Sequence, residues 1–62
     1  MQRYQKYNSH DDAYVAARRG YEAACVLYGK DKCTITTDQK TKIKTVVRPD
    51  LFEGQVTLEY AW

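Results

Sequence analysis

Histidine and proline each occur once in this chain, as His10 and Pro49, and glycine occurs three times, at positions 20, 29 and 54. Each scarcity excludes something. A structural zinc site takes about four ligands, and His10 with only Cys25 and Cys33 cannot assemble an all-Cys/His set from one chain. The scattered glycines form no phosphate-cradling loop. Their expected roles are local: close packing at Gly20, a helix C-terminus at Gly29, and a turn or bulge at Gly54. No apolar run approaches the roughly 20 residues of a membrane span. The start, MQRYQKYNSHDD, lacks the apolar stretch of a secretory signal. The expectation is a cytoplasmic protein without a cofactor and away from membranes, in which two free thiols are favoured over a disulfide. The net charge of +2 is too small, taken alone, to imply a nucleic-acid or anionic-membrane partner.

What remains is short and rich in tyrosine. Sixty-two residues make one small domain, 1–62. A chain of this size buries only about 60% of its unfolded surface, so its stability is marginal without an oligomer or partner. Hydrophobic residues at 44% and charged residues at 29% are ordinary for a globular chain. Six tyrosines, one tryptophan and one phenylalanine are generous for this length. Tyrosine combines apolar area with a polar tip, which suits half-buried positions and contact surfaces.

The clearest element begins at Ser9. Ser9 and Asp12 have the spacing of a capping box, and Asp11 and Asp12 would sit in the first turn, where the helix dipole favours negative charge. The helix is expected from about His10 to Tyr28, with Gly29 as a left-handed C-terminal residue. Stepped at 100° per residue, Ala13, Ala17, Gly20, Ala24, Leu27 and Tyr28 form one face, flanked by Ala16 and Tyr21. Arg18, Arg19 and Glu22 lie opposite. The small residues therefore read as the centre of the buried face. Val15 and Val26 land on the polar side, either as isolated exposed valines or as a patch for a second copy or a partner.

After Gly29 the pattern changes to a period of two. Cys33–Thr37, Thr41–Arg48 and Gln55–Trp62 read as strands, separated by a turn at Asp38–Lys40 and a break at Pro49–Asp50. Val56, Leu58, Tyr60 and Trp62 form the apolar side of the last strand. The sets assigned beside them are Cys33, Ile35 and Thr37, and Ile43, Thr45 and Val47, with Lys40, Lys42 and Lys44 outward. Trp62, on the core parity, is expected to be pinned. The fold class is α+β: one N-terminal helix packed on a three-stranded antiparallel β-meander, with a short extra N-terminal strand if residues 1–7 pair.

Few residues could carry chemistry. His10 beside Asp11 and Asp12 reads as a solvated histidine of a first turn, and the capping role accounts for Ser9. Cys25 reads as a packing thiol. Cys33 has Lys30 and Lys32 nearby, and positive neighbours lower a thiol's pKa, which makes a redox role a weak third reading. No enzyme constellation is present.

Two readings of function follow. In the first, the protein is a small non-enzymatic interaction module that docks on another protein, as accessory, regulatory or phage-encoded modulators do. Its contacts would be Leu51 and Phe52, which in a turn either fold back over the core, the preferred reading, or protrude as an anchor. Val15 and Val26 would be a second patch. The alternative is a nucleic-acid-binding protein whose Lys40, Lys42, Lys44 and Arg48 follow a phosphate backbone from the sheet. The plainer reading of that row is a solvated face that keeps the sheet from aggregating.

Overall fold

A computed structural model describes residues 2–52 and 54–62. Met1, in the stretch 1–7 expected to pair as a strand, and Glu53, in the segment expected to turn between the last two strands, lie outside the described residues. The architecture is α+β: strand β1 (Gln2–Lys6), helix α1 (His10–Tyr28), a 3₁₀ turn (Lys30–Lys32), then β2 (Thr34–Asp38), β3 (Ile43–Asp50) and β4 (Gly54–Ala61). The sheet order is β1-β4-β3-β2. The last three strands form the expected antiparallel meander, and the N-terminal strand joins it alongside β4 in parallel, making a mixed four-stranded sheet.

The helix starts where its cap predicts. Ser9 is extended, and its hydroxyl accepts from the Asp12 N–H at 3.2 Å, satisfying one of the unpaired first-turn donors. Asp11 and Asp12 occupy the first turn. At the other end Gly29 takes φ 101° with ψ 140°. The positive φ is what glycine allows, but the ψ is extended, so the chain turns directly into the 3₁₀ segment. Ala13, Ala17 and Ala24 are buried, so the small-residue stripe is the packed face. Gly20 belongs to it for a steric reason. A Cβ there would lie 2.9 Å from the Tyr60 hydroxyl. Leu27 departs from the expected face: it is 73% exposed, at the rim where the last turn overhangs the sheet.

The facing of β3 is the main correction. Val46, not Val47, is fully buried, and Lys44 is buried with it at 5% exposure. The ladder explains this. Val46 lies opposite Leu58 on β4 and Ile35 on β2, and Lys44 lies opposite Tyr60 and Thr37. Residues directly opposite share a face. The helix side therefore carries Cys33, Ile35 and Thr37, then Lys44, Val46 and Arg48, then Val56, Leu58 and Tyr60. Ile43, Thr45 and Val47 take the other side. The β2–β3 connection also differs, spanning positions 39–42, with Lys42 in the left-handed region at φ 58°. Asp38 closes it by accepting from the Lys40 and Thr41 N–H groups.

Pro49 does not end β3 as its chemistry suggested; it pairs with Gln55. The Trp62 N–H donates to the Lys42 carbonyl at 3.0 Å. That bond sets the alternation, so even-numbered residues of β3 bond to β4 and the Pro49 nitrogen points away from it. The β2 ladder ends opposite Val47. Pro49 thus sits where β3 has no neighbour on that side, a place that tolerates the missing donor.

Candidate functional site

Leu51 and Phe52 form the tip of the β3–β4 hairpin. Asp50 pairs with Gly54, and the Phe52 N–H donates to an Asp50 carboxylate oxygen at 2.8 Å, which braces the turn. Both side chains point into solvent: Leu51 is 85% exposed and Phe52 93%. They do not fold back over the core. The core beneath ends at Val56, opposite Arg48, and Arg48 itself covers that end by lying 5.9 Å over the Tyr28 ring. With this end of the core already closed, nothing calls the two apolar side chains inward.

The last helical turn adds apolar surface near this end of the molecule. Val26 is 87% exposed, and Leu27 lines a groove with Ala23, Tyr28, Arg48 and Leu58. Leu27 was not among the expected contact residues, because its spacing assigned it to the buried stripe. Val15 is half-exposed and lies about 16 Å from Val26 along the helix, at 1.5 Å per residue. It borders a separate groove with Lys6, Tyr7, Asp12 and Arg19. Val15 and Val26 therefore share a helix side but not a patch.

The four basic residues are not brought together in a row. Lys40 and Lys42 are exposed in the β2–β3 turn. Lys44 is turned under the helix, where its ammonium donates to the Thr37 hydroxyl at 2.9 Å and lies 5.2 Å from the Tyr14 ring and 5.5 Å from the Trp62 ring. The butylene stem packs in the core while the ammonium finds a hydroxyl and two ring faces, which offsets the cost of burying the charge. Arg48 is half-buried on the same side and donates to the Pro49 carbonyl. A phosphate backbone following the sheet would meet neither Lys44 nor Arg48 beside the turn lysines.

The remaining chemistry-bearing side chains have structural partners. The His10 ring stands edge-on to Trp62 at 4.7 Å and stacks on Tyr14 at 6.2 Å, with Nδ1 3.7 Å from Asp11. It is thus part of an aromatic cluster pinning the end of β4 rather than a fully solvated group. Trp62 is held as expected. Cys25 and Cys33 are free thiols. Cys33 is buried, and burial, followed by the adjacent Cys25, raises its thiol pKa. The expected lowering by nearby lysines gives way to desolvation, the reverse of what an activated thiol needs. Tyr21 is raised in turn, first by its hydrogen bond with Cys25 and then by burial. Among the described residues there is no cluster of three or more potential metal ligands, and no helix is long and apolar enough to cross a membrane.

One more concavity lies where α1 stops short of β1. It is lined by residues of β1 and β4, among them Arg3, Leu58 and Tyr60, and by Tyr7 just after β1, with Tyr7 and Tyr60 stacked at 6.0 Å, and its volume is about 470 Å³. Comparison with protein-family models, curated proteins and solved structures finds no match to this chain.

Proposed function

We propose that the protein is a small non-enzymatic interaction module that docks on another protein in the cytoplasm, in the manner of an accessory, regulatory or phage-encoded modulator. The observation that carries this reading is the hairpin tip. Two large apolar side chains, Leu51 and Phe52, stand almost fully in solvent on a braced turn. An aromatic and an aliphatic side chain already standing in solvent can be buried by a partner without first being released from the core, and a few such buried side chains carry most of the energy of an interface. Val26 and Leu27 are further exposed apolar side chains in the last turns of the helix, and Val26 with Val15 would supply secondary contacts. The nucleic-acid alternative loses support from the burial of Lys44.

The test is affinity capture of the tagged chain from host lysate, with and without nuclease, comparing wild type with Leu51→Asp/Phe52→Asp. Both side chains are exposed, so the double variant should keep the wild-type circular dichroism spectrum. The expected result is a specific protein captured by wild type in both halves of the lysate and lost by the variant. Capture retained by the folded variant, or abolished by nuclease, overturns the proposal.

A further inference from the structure

The free edge of β1 has a self-complementary arrangement. All five residues of β1 are exposed, and the strand carries neither proline nor an interruption in its ladder to β4. Such an edge is a template for another strand unless something blocks it. Arg3 and Lys6 are the only charges on it, so whether they block pairing depends on register.

The backbone selects that register. The Tyr7 N–H donates to the Ala61 carbonyl at 2.8 Å, so the peptide groups of Tyr7, Gln5 and Arg3 face β4. Alternation then turns the N–H and C=O groups of Gln2, Tyr4 and Lys6 outward. A two-fold axis perpendicular to the sheet reverses strand direction and keeps both helices on one side. It therefore pairs odd residues with odd and even with even. Centred on Tyr4, it places Tyr4 against Tyr4, Gln2 against Lys6 and Arg3 against Gln5. Every outward N–H and C=O then finds a partner, and each cation faces a neutral amide. Moving the axis to Arg3 sets the two arginines against each other, and moving it to Gln5 leaves Gln2 unpaired.

The side chains agree with the Tyr4 centre. On the sheet side away from the helix, the Gln2 side-chain amide donates to the Glu59 carboxylate. The pairing sets Lys6 of the second copy directly opposite Gln2, on the same side of the sheet as Glu59. Tyr4, 60% exposed, meets its own symmetry mate at the axis. We propose that two copies of the chain join edge to edge through Gln2–Lys6, antiparallel about Tyr4, into one continuous sheet. This surface is separate from the hairpin tip, and the inference does not rest on the docking reading.

Sedimentation velocity from micromolar to millimolar concentration should show a reversible dimer. Hydrogen exchange should then slow with concentration at the amides of Tyr4 and Lys6 but not at Gln5 or Tyr7, which are bonded to β4 in either state. Gln5→Arg places two like-charged Arg–Arg pairs across the seam, enough to raise the dimer Kd by about tenfold or more. Arg3→Glu/Gln5→Arg converts both into opposite-charge pairs and should restore association. Tyr4→Pro removes the N–H at the axis without touching a bond to β4, and should give a folded monomer. Leu51→Asp/Phe52→Asp should dimerise as wild type. A wild-type chain monomeric at every concentration, a dimer indifferent to Gln5→Arg and Tyr4→Pro, or protection appearing in Thr34–Asp38 instead would overturn the proposal.

Discussion

Replacing Gly20 with alanine sets two effects of known sign against each other. In a helix interior alanine is favoured over glycine by about 0.8–1 kcal/mol. The new methyl, however, would stand 2.9 Å from the Tyr60 hydroxyl oxygen, inside ordinary contact distance, with the next atom of that ring at 3.9 Å. The ring cannot swing away freely, because it is half-buried and stacked on Tyr7. Overpacking of a fitted site costs about 1–3 kcal/mol, so Gly20→Ala alone should be neutral to destabilising by about 2 kcal/mol. Tyr60→Phe removes the offending oxygen. In that background Gly20→Ala should stabilise by about 1 kcal/mol, the bare propensity gain. Urea unfolding of the four chains, followed by circular dichroism at pH 7, gives the coupling energy, expected at about 1 kcal/mol or more. Equal effects of Gly20→Ala in both backgrounds would mean that the Tyr60 hydroxyl does not abut Gly20. The contact between α1 and β4 described above would then be wrong.

Two further predictions separate the burial of Lys44 and of the cysteine–tyrosine groups from surface behaviour. Lys44→Glu should destabilise by about 3 kcal/mol or more, because it puts an uncompensated carboxylate against the negative faces of Tyr14 and Trp62, whereas Lys42→Glu in the exposed turn should stay within about 0.5 kcal/mol; similar values in urea titrations would return Lys44 to the solvent side. Cys33 and Tyr60 both have pKa values raised, chiefly by burial, so the folded state holds their protons longer than the unfolded chain does. Their contribution is complete below the ordinary values of 9.0 and 10.0 and is lost as pH rises through the elevated ones. Stability should therefore fall on the alkaline side, with Cys33→Ala flattening the first part of the decline and Tyr60→Phe the later part; an unchanged alkaline limb in both variants refutes the assignment.

The helix was legible in the sequence because its signals are local. Ser9, the acidic first turn, the alanine stripe and Gly29 each act within a turn of their own position, and each appears where the spacing places it. The facing of β4 was equally plain, since Val56, Leu58 and Tyr60 leave only one apolar side. The hairpin tip was identifiable as two large apolar residues in a turn, but its outward orientation was not. That depends on Arg48 and Tyr28 having closed the adjacent end of the core.

β3 shows where local reading fails. Its segment carries apolar residues on both parities, Ile43 and Val47 on one and Val46 on the other, so alternation alone leaves the choice open, and three lysines at even positions tipped the reading toward solvent. The tertiary structure decided otherwise because register is a property of pairs: the turn braced by Asp38 and the fixed face of β4 together place Val46 opposite Leu58, and Lys44 follows it inward. The same holds for β1, whose weak alternation gives no sign of its parallel partner. Composition and short-range spacing determined the elements, their order and the class. Long-range pairing decided which lysine is buried, which leucine is exposed and which strand edge is left free, because those outcomes depend on neighbours far away in the chain.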